Sequence, residues 1–195
     1  MARIVSVRSK GEKNVLVSLV IEVDGVNKKY TVSEGTYREI GCPLSGENTD
    51  EAALARISCE DEEHRAMAKA LRILAYADNN ERTLMRKLVT AGFGKEVAAE
   101  TVKECVRLGY VDEHRQAERI IEICASELYG PWKMLKKLVD RGFSPALGRR
   151  IITELENSGR LDFLEMKKEL LERKLSSDAT YDEKRKLLHK YGYTK

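Results

Sequence analysis

The sequence predicts a mainly α-helical protein made of tandem three-helix repeats, with a small β-meander extension at its N-terminus. A stretch at 84–93, LMRKLVTAGF, returns fifty residues later at 134–143 as MLKKLVDRGF, and more weakly at 186–193 as KLLHKYGY. Each copy combines apolar residues three or four apart with a glycine placed to end a helix in the left-handed conformation. Self-similarity at a fixed spacing indicates units stacked end to end, here a right-handed-type helical array.

The N-terminal segment, residues 1–47, is the β-like part of the chain. Apolar residues alternate with polar ones on both sides of Asp24-Gly25, which is a strong signal for a two-residue hairpin turn. We expect three strands, an earlier polar turn at 10–14, and a short helix over 34–40 that helps to cover the apolar face of the meander.

Residues 48–59 are predicted to form an acidic linker helix, capped by Asn48 or Thr49. Ser58 could cap a new helix, because four acids follow it at 60–63 and acidic side chains suit the positive end of a helix dipole. The alternative for these acids is an intramolecular contact with the basic repeats.

Three repeats follow, at 60–111, 112–161 and 162–195. Helix boundaries in them are marked by Asp112 and Ser144 as caps, and by Thr180 with Glu183 as a capping box. The third repeat shows two helices before the printed sequence ends. We therefore expect it to form a two-helix cap or to leave its apolar face partly open.

Composition narrows the functional class. Residues 1–78 carry 11 Lys and Arg against 13 Asp and Glu, whereas residues 79–195 carry 24 against 19, so the repeats are mildly basic. The four cysteines lack metal-type spacing, and we find no glycine-rich phosphate loop, HExxH or GxSxG. We expect a monomeric binding module rather than an enzyme, with no cofactor or metal. The lack of a signal peptide or long apolar run indicates the cytoplasm.

The second helices carry the clearest candidate binding residues. Arg86, Lys136 and Lys186 are fifty apart, so in a regular array they would line up as a basic stripe suited to phosphate or an acidic protein surface. The alternative is that these residues have no binding role, because exposed helix positions are often basic. The candidates beside the stripe are Lys87, Lys133, Lys137, Lys184 and Arg185 on the second helices, and, as weaker candidates, Arg149 and Arg150 on a third helix.

Trp132 is the single tryptophan and lies in the run Tyr129-Gly130-Pro131-Trp132. A tryptophan near a helix start is most often a packing anchor between repeats. The alternative is contact with a partner, because tryptophan is enriched among interface hot spots.

Several motifs occur in the order found in a known family. They are the leucine-rich first helix at 71–75, an L-x-x-GY-x-D-like element at 106–112, and the run from Gly130 to Phe143, which spaces Gly-Pro, Leu and Gly-Phe. With these motifs residues 60–195 resemble the regulatory protein RecX family, and residues 1–59 do so loosely. The sequence differs in placing Trp132 after Gly-Pro and in ending at Lys195.

The resemblance implies a fold of tandem three-helix repeats after a β-containing extension. It also implies a regulator that binds along the groove of the RecA–DNA filament and inhibits ATPase and strand exchange, acting in recombinational DNA repair and the SOS response. A helical-repeat scaffold for an unrelated protein and a direct DNA-binding module are the alternatives.

Overall fold

The structure, a computed structural model, describes residues 2–10 and 16–194. Its strands are β1 (Ala2–Lys10), β2 (Leu16–Val23), β3 (Val26–Ser33) and β4 (Asn48–Thr49). Its helices are α1 (Glu34–Glu39), α2 (Glu51–Tyr76), α3 (Glu81–Thr90), α4 (Lys95–Arg107), α5 (Glu113–Ser126), α6 (Pro131–Asp140), α7 (Pro145–Asn157), α8 (Phe163–Lys174) and α9 (Tyr181–Tyr191). The predicted mainly α architecture with an N-terminal antiparallel sheet is confirmed.

The chain divides into two compact units. One comprises Met1–Tyr76 with Met85–Arg107, and the other comprises Ala77–Leu84 with Leu108–Lys195. The first unit holds the sheet, α1, α2 and α4. The second holds α5 to α9. Helix α3 contributes to both, and the division into repeats at 60–111, 112–161 and 162–195 stays a prediction.

The sheet has four strands in the order β3-β2-β1-β4, all neighbours antiparallel, so the prediction of three strands is one short. Asp24 and Gly25 both have positive φ, 53° and 77°, as the predicted two-residue hairpin requires. Asn48 and Thr49, predicted as helix caps, form β4 instead. Asp50 caps α2 instead, because its Oδ1 accepts the Ala53 N–H at 2.7 Å. Of the predicted turn at 10–14, Lys10 ends β1 and residues 11–14 lie outside the described residues.

Helix α2 overturns the predicted break at Ser58. The linker helix and the first helix of repeat one form one helix of 26 residues, in which no glycine or proline interrupts the backbone ladder. Ile57 is fully buried and joins Ile4, Leu19, Ile21 and other apolar residues in the core between sheet and helix.

The four acids at 60–63 are therefore not a first helical turn. Asp61 Oδ1 accepts the Thr31 N–H at 2.8 Å and Glu60 Oε1 accepts the Ser33 N–H at 2.9 Å. Thr31 and Ser33 belong to β3, the edge strand whose backbone donors have no further strand to pair with. Carboxylates of α2 thus satisfy and cover an edge that would otherwise invite pairing with another chain.

In the second unit, α5, α6 and α7 enclose one apolar core. It contains Ala117, Ile121, Met134, Leu138 and Ile151, all fully buried. A smaller cluster of Leu128, Leu170 and Leu188 joins α8 and α9 to the end of α5. The predicted caps are confirmed: Asp112 and Ser144 accept from the backbone of the following turns, and Thr180 with Glu183 forms the capping box.

A docking contact recurs between successive second helices within the second unit. Asn80, at the start of α3, donates its Nδ2–H to the Arg141 carbonyl at the end of α6, at 2.8 Å. Fifty residues on, Gly130 at the start of α6 donates its N–H to the Tyr191 carbonyl at the end of α9, also at 2.8 Å. The start of one second helix therefore docks on the end of the next.

Gly192 is required at the second docking contact. Its φ is +83°, and a Cβ there would lie 2.5 Å from the Lys133 backbone nitrogen. We expect Gly192→Ala to lower the free energy of unfolding by about 2 kcal/mol or more, since backbone strain and a steric clash add. Gly159→Ala is the matched control: its φ is +75° with nothing within 4 Å, so it should cost only about 1 kcal/mol. Urea unfolding followed by circular dichroism measures both, and equal losses would contradict the docking contact.

The carboxylate cover of β3 gives a second prediction. Asp61→Ala should lower the free energy of unfolding by about 1–3 kcal/mol, because it leaves the Thr31 N–H and the Arg65 guanidinium without this acceptor. Glu63→Ala, two positions along the same helix on an exposed side chain, should change stability by less than about 0.5 kcal/mol. Thermal unfolding of the two variants side by side checks this, and similar melting temperatures would contradict it.

Candidate protein-binding surface

The predicted basic residues of the second helices lie opposite the buried faces of those helices. On α3, Arg86 and Lys87 are exposed while Leu84 and Leu88 are fully buried. On α6, Lys136 is exposed between buried Met134 and Leu138. On α9, Arg185 and Lys186 are exposed while Leu188 is buried. Each helix therefore presents basic side chains to solvent for a local reason, its amphipathic pattern.

Two of the predicted candidates, Lys133 and Lys137, lie in a cluster of cations and aromatic rings. Lys133 Nζ is 4.0 Å from the ring centroid of Tyr129 and 5.1 Å from that of Tyr191, and Lys137 Nζ is 4.2 Å from the Tyr129 ring. The two rings are themselves 5.6 Å apart. We call these four side chains the lysine–tyrosine cluster; each cation–π contact at such a partly exposed site is worth about 0.5–1 kcal/mol.

The pKa values of the two lysines in this cluster are shifted in opposite directions. Desolvation lowers the pKa of Lys133, and the neighbouring charges of Lys137 and Lys190 lower it further. A hydrogen bond to Glu127, with Nζ to Oε2 at 3.0 Å, raises the pKa of Lys137. Lys133 also donates to the Lys190 carbonyl at 3.3 Å. Lys133 therefore stabilises the contact of α9 with α6, whereas Lys137 is held by Glu127 and the Tyr129 ring. Both lysines are thus less available to an outside ligand than Lys136.

Trp132 takes part in the docking contact through its backbone. Its N–H donates to the Gly192 carbonyl at 3.1 Å, whereas its side chain is 45% exposed. The main chain of Trp132 thus takes part in the contact between α6 and α9, and nearly half of the residue is exposed to solvent. Its role as a partner contact stays a prediction.

The remaining candidates have mixed surroundings. Arg149 and Arg150 are exposed on α7, and Arg150 Nε lies 3.6 Å from Glu154 Oε1. Lys184, on α9, is half-buried and faces α8 rather than lying with the exposed residues Arg185 and Lys186.

Sequence reasoning missed two features of this surface. The lysine–tyrosine cluster depends on Tyr191, sixty-two residues from Tyr129, and no local pattern signals that pairing. The second feature is an open groove between α8 and α9. The sequence pattern that could have predicted this groove is the spacing of Leu164, Leu171 and Leu175, which lie seven and four residues apart on one side of α8.

Across 2–10 and 16–194, no group of three or more His, Cys, Asp or Glu side chains is placed to hold a metal ion. None of the helices in this part of the chain is both long and apolar enough to cross a bilayer.

Comparisons with known proteins relate the chain to one family. No family model matches the chain. Regulatory protein RecX of Trichlorobacter lovleyi is 31% identical over 106 residues, which are 54% of this chain and 68% of that protein. RecX of Legionella pneumophila strain Corby is also 31% identical, over 88 residues that make up 45% of this chain and 59% of that protein. The chain thus spans about three fifths of the length of the Legionella relative.

Solved structures show the same fold. A crystal structure of regulatory protein RecX aligns with a TM-score of 0.67 over 100% of this chain and 95% of the other, at 18% identity. A crystal structure of RecX from Lactobacillus salivarius aligns with a TM-score of 0.56 over 69% of this chain and 90% of the other, at 17% identity. Together with the identity to the Trichlorobacter protein over two thirds of its length, this shows that the chain belongs to the RecX family of regulatory proteins.

Proposed function

We propose that this RecX-family regulator binds the RecA recombinase filament in the cytoplasm and inhibits its ATPase and strand-exchange activities, thereby modulating recombinational DNA repair and the SOS response. Family membership carries the proposal. The exposed basic residues of the second helices support it, because a filament offers acidic protein surface and DNA phosphate along its length.

The proposed contact residues are Arg86, Lys136 and Lys186, with Lys87 and Arg185 beside them. All five are exposed, and each projects from a helix held by buried leucines or methionine on its other face. Charged side chains on rigid helices lose less conformational entropy on binding than charged side chains on loops. Trp132 would add an aromatic anchor at the start of α6.

The first test is titration of the protein into a RecA ATPase assay on single-stranded DNA. We expect the rate of ATP hydrolysis to fall in a saturable manner as the protein is added. An unchanged rate, with a different protein recovered in a pull-down, would favour the scaffold alternative. Binding to bare DNA as tight as binding to the filament, and equally salt-sensitive, would favour the DNA-binding alternative.

The second test is charge reversal of the proposed contact. A variant with Arg86→Glu, Lys136→Glu and Lys186→Glu should need about tenfold more protein for half-maximal ATPase inhibition, because each change replaces an attraction to an acidic partner by a repulsion. Lys69→Glu, an exposed lysine of α2 outside the second helices, is the control and should inhibit like the parent. Equal inhibition by the triple variant and the control would exclude these residues from the contact.

A further inference from the structure

The groove between α8 and α9 has an apolar floor and a basic rim. Its volume is about 630 Å³. Leu164 is 81% exposed at one end, and Leu171 and Leu175 are half-buried along it. The lining residues are Leu164, Lys167, Lys168, Leu171, Glu172, Leu175, Ser176, Ser177 and Lys184. Three lysines against one glutamate make this lining basic.

The equivalent positions in the preceding repeat form the seat of a helix. Helices α5 and α8 start in the same register, after the caps Asp112 and Asp162, so each lining residue has a counterpart fifty positions earlier. The counterparts of Lys167 and Leu171 are Ala117 and Ile121, which pack against Ile151, Ile152 and Leu155 of α7. The groove therefore has the position of a seat for a third helix.

Polar contacts of the preceding repeat confirm this correspondence. His114, the counterpart of Leu164, has its Nε2 2.9 Å from Glu154 Oε2 on α7. Glu118 and Glu122, the counterparts of Lys168 and Glu172, both form ion pairs with Arg160, just after α7. The positions that line the groove thus correspond to positions of repeat two that hold a helix and its C-terminal end.

The chemistry of the seat is changed in repeat three. Ala117, Cys124 and Met134 are buried in repeat two, whereas their counterparts are Lys167, Lys174 and Lys184. Lys168 replaces Glu118, and its Nζ lies 3.8 Å from Glu165. A wholly apolar helix would desolvate these ammonium groups without offering them acceptors of its own. Carboxylates at the edges of the helix would pair with them, while the lysine stems pack on its apolar face.

We propose that the groove between α8 and α9 binds an acidic amphipathic α-helix of a partner protein. Apolar residues of that helix pack on Leu164, Leu171 and Leu175, and its carboxylates pair with Lys167, Lys168 and Lys184. This is helix-in-groove recognition, in which spaced apolar anchors supply affinity and the flanking charges select the partner. The inference goes beyond the proposed action on RecA and does not depend on it.

Two peptides test the proposal with the full chain. Both are based on residues 145–161, the segment that occupies the equivalent position in repeat two. The acidic peptide carries Arg149→Glu, Arg150→Glu and Arg160→Glu, and the basic peptide is unchanged. By fluorescence anisotropy we expect the acidic peptide to bind saturably and about tenfold more tightly than the basic one.

Variants of the chain locate the binding. Lys168→Glu should remove most of the preference for the acidic peptide, and Leu171→Ala should weaken both peptides. Lys136→Glu, on the exposed face of α6, should leave peptide binding unchanged, so this result is independent of the ATPase tests.

The absence of saturable peptide binding would show that the groove is only a solvent-exposed end of the protein, and would overturn the proposal. Binding insensitive to Lys168→Glu, or a dimer in sedimentation velocity that Lys168→Glu dissociates, would also overturn it.

Discussion

The second unit depends on the docking of each second helix onto the end of the next. The start of a helix has free backbone N–H groups, and its end has free carbonyls, so bringing the two together satisfies both sets at once. At Gly130 this is achieved by main-chain atoms alone, which requires glycine on both sides. At Asn80 an amide side chain bridges the gap and also caps its own helix, accepting from the Thr83 N–H.

The lysine–tyrosine cluster strengthens the closer of the two contacts. Tyr129 precedes the docking glycine Gly130, and Tyr191 precedes Gly192, so the rings flank the main-chain hydrogen bonds. Tyr193, on the far side of Gly192, donates its hydroxyl to the Leu128 carbonyl at 3.2 Å, and burial raises its pKa to about 12. The ammonium groups of the two lysines, the two tyrosine rings and the Tyr193 hydroxyl thus lie around a contact that is made by main-chain atoms.

Local signals in the sequence predicted the helical part of the fold well. Gly92, Gly142 and Gly192 all have positive φ, and Asp112, Ser144 and Thr180 all cap helices, because glycine stops and polar caps act within a few residues. The acids at 60–63 misled the prediction, since Glu60 and Asp61 pair with backbone groups of a strand about thirty residues away. The candidate surface was predictable as exposed basic positions, but the engagement of Lys133 with Tyr191 was not.

The capping box at Thr180 has a consequence for how units of this type can be joined. At Asn80 and Gly130 the start of the second helix receives the end of the following one. At Thr180, the third equivalent position, Glu183 accepts from both the N–H and the hydroxyl, and the Thr180 hydroxyl accepts the Glu183 N–H. Extending the series by one more contact of this kind would first require breaking these bonds. At Thr180 the start of the helix is therefore closed by its own side chains, whereas at Asn80 and Gly130 it receives the end of another helix.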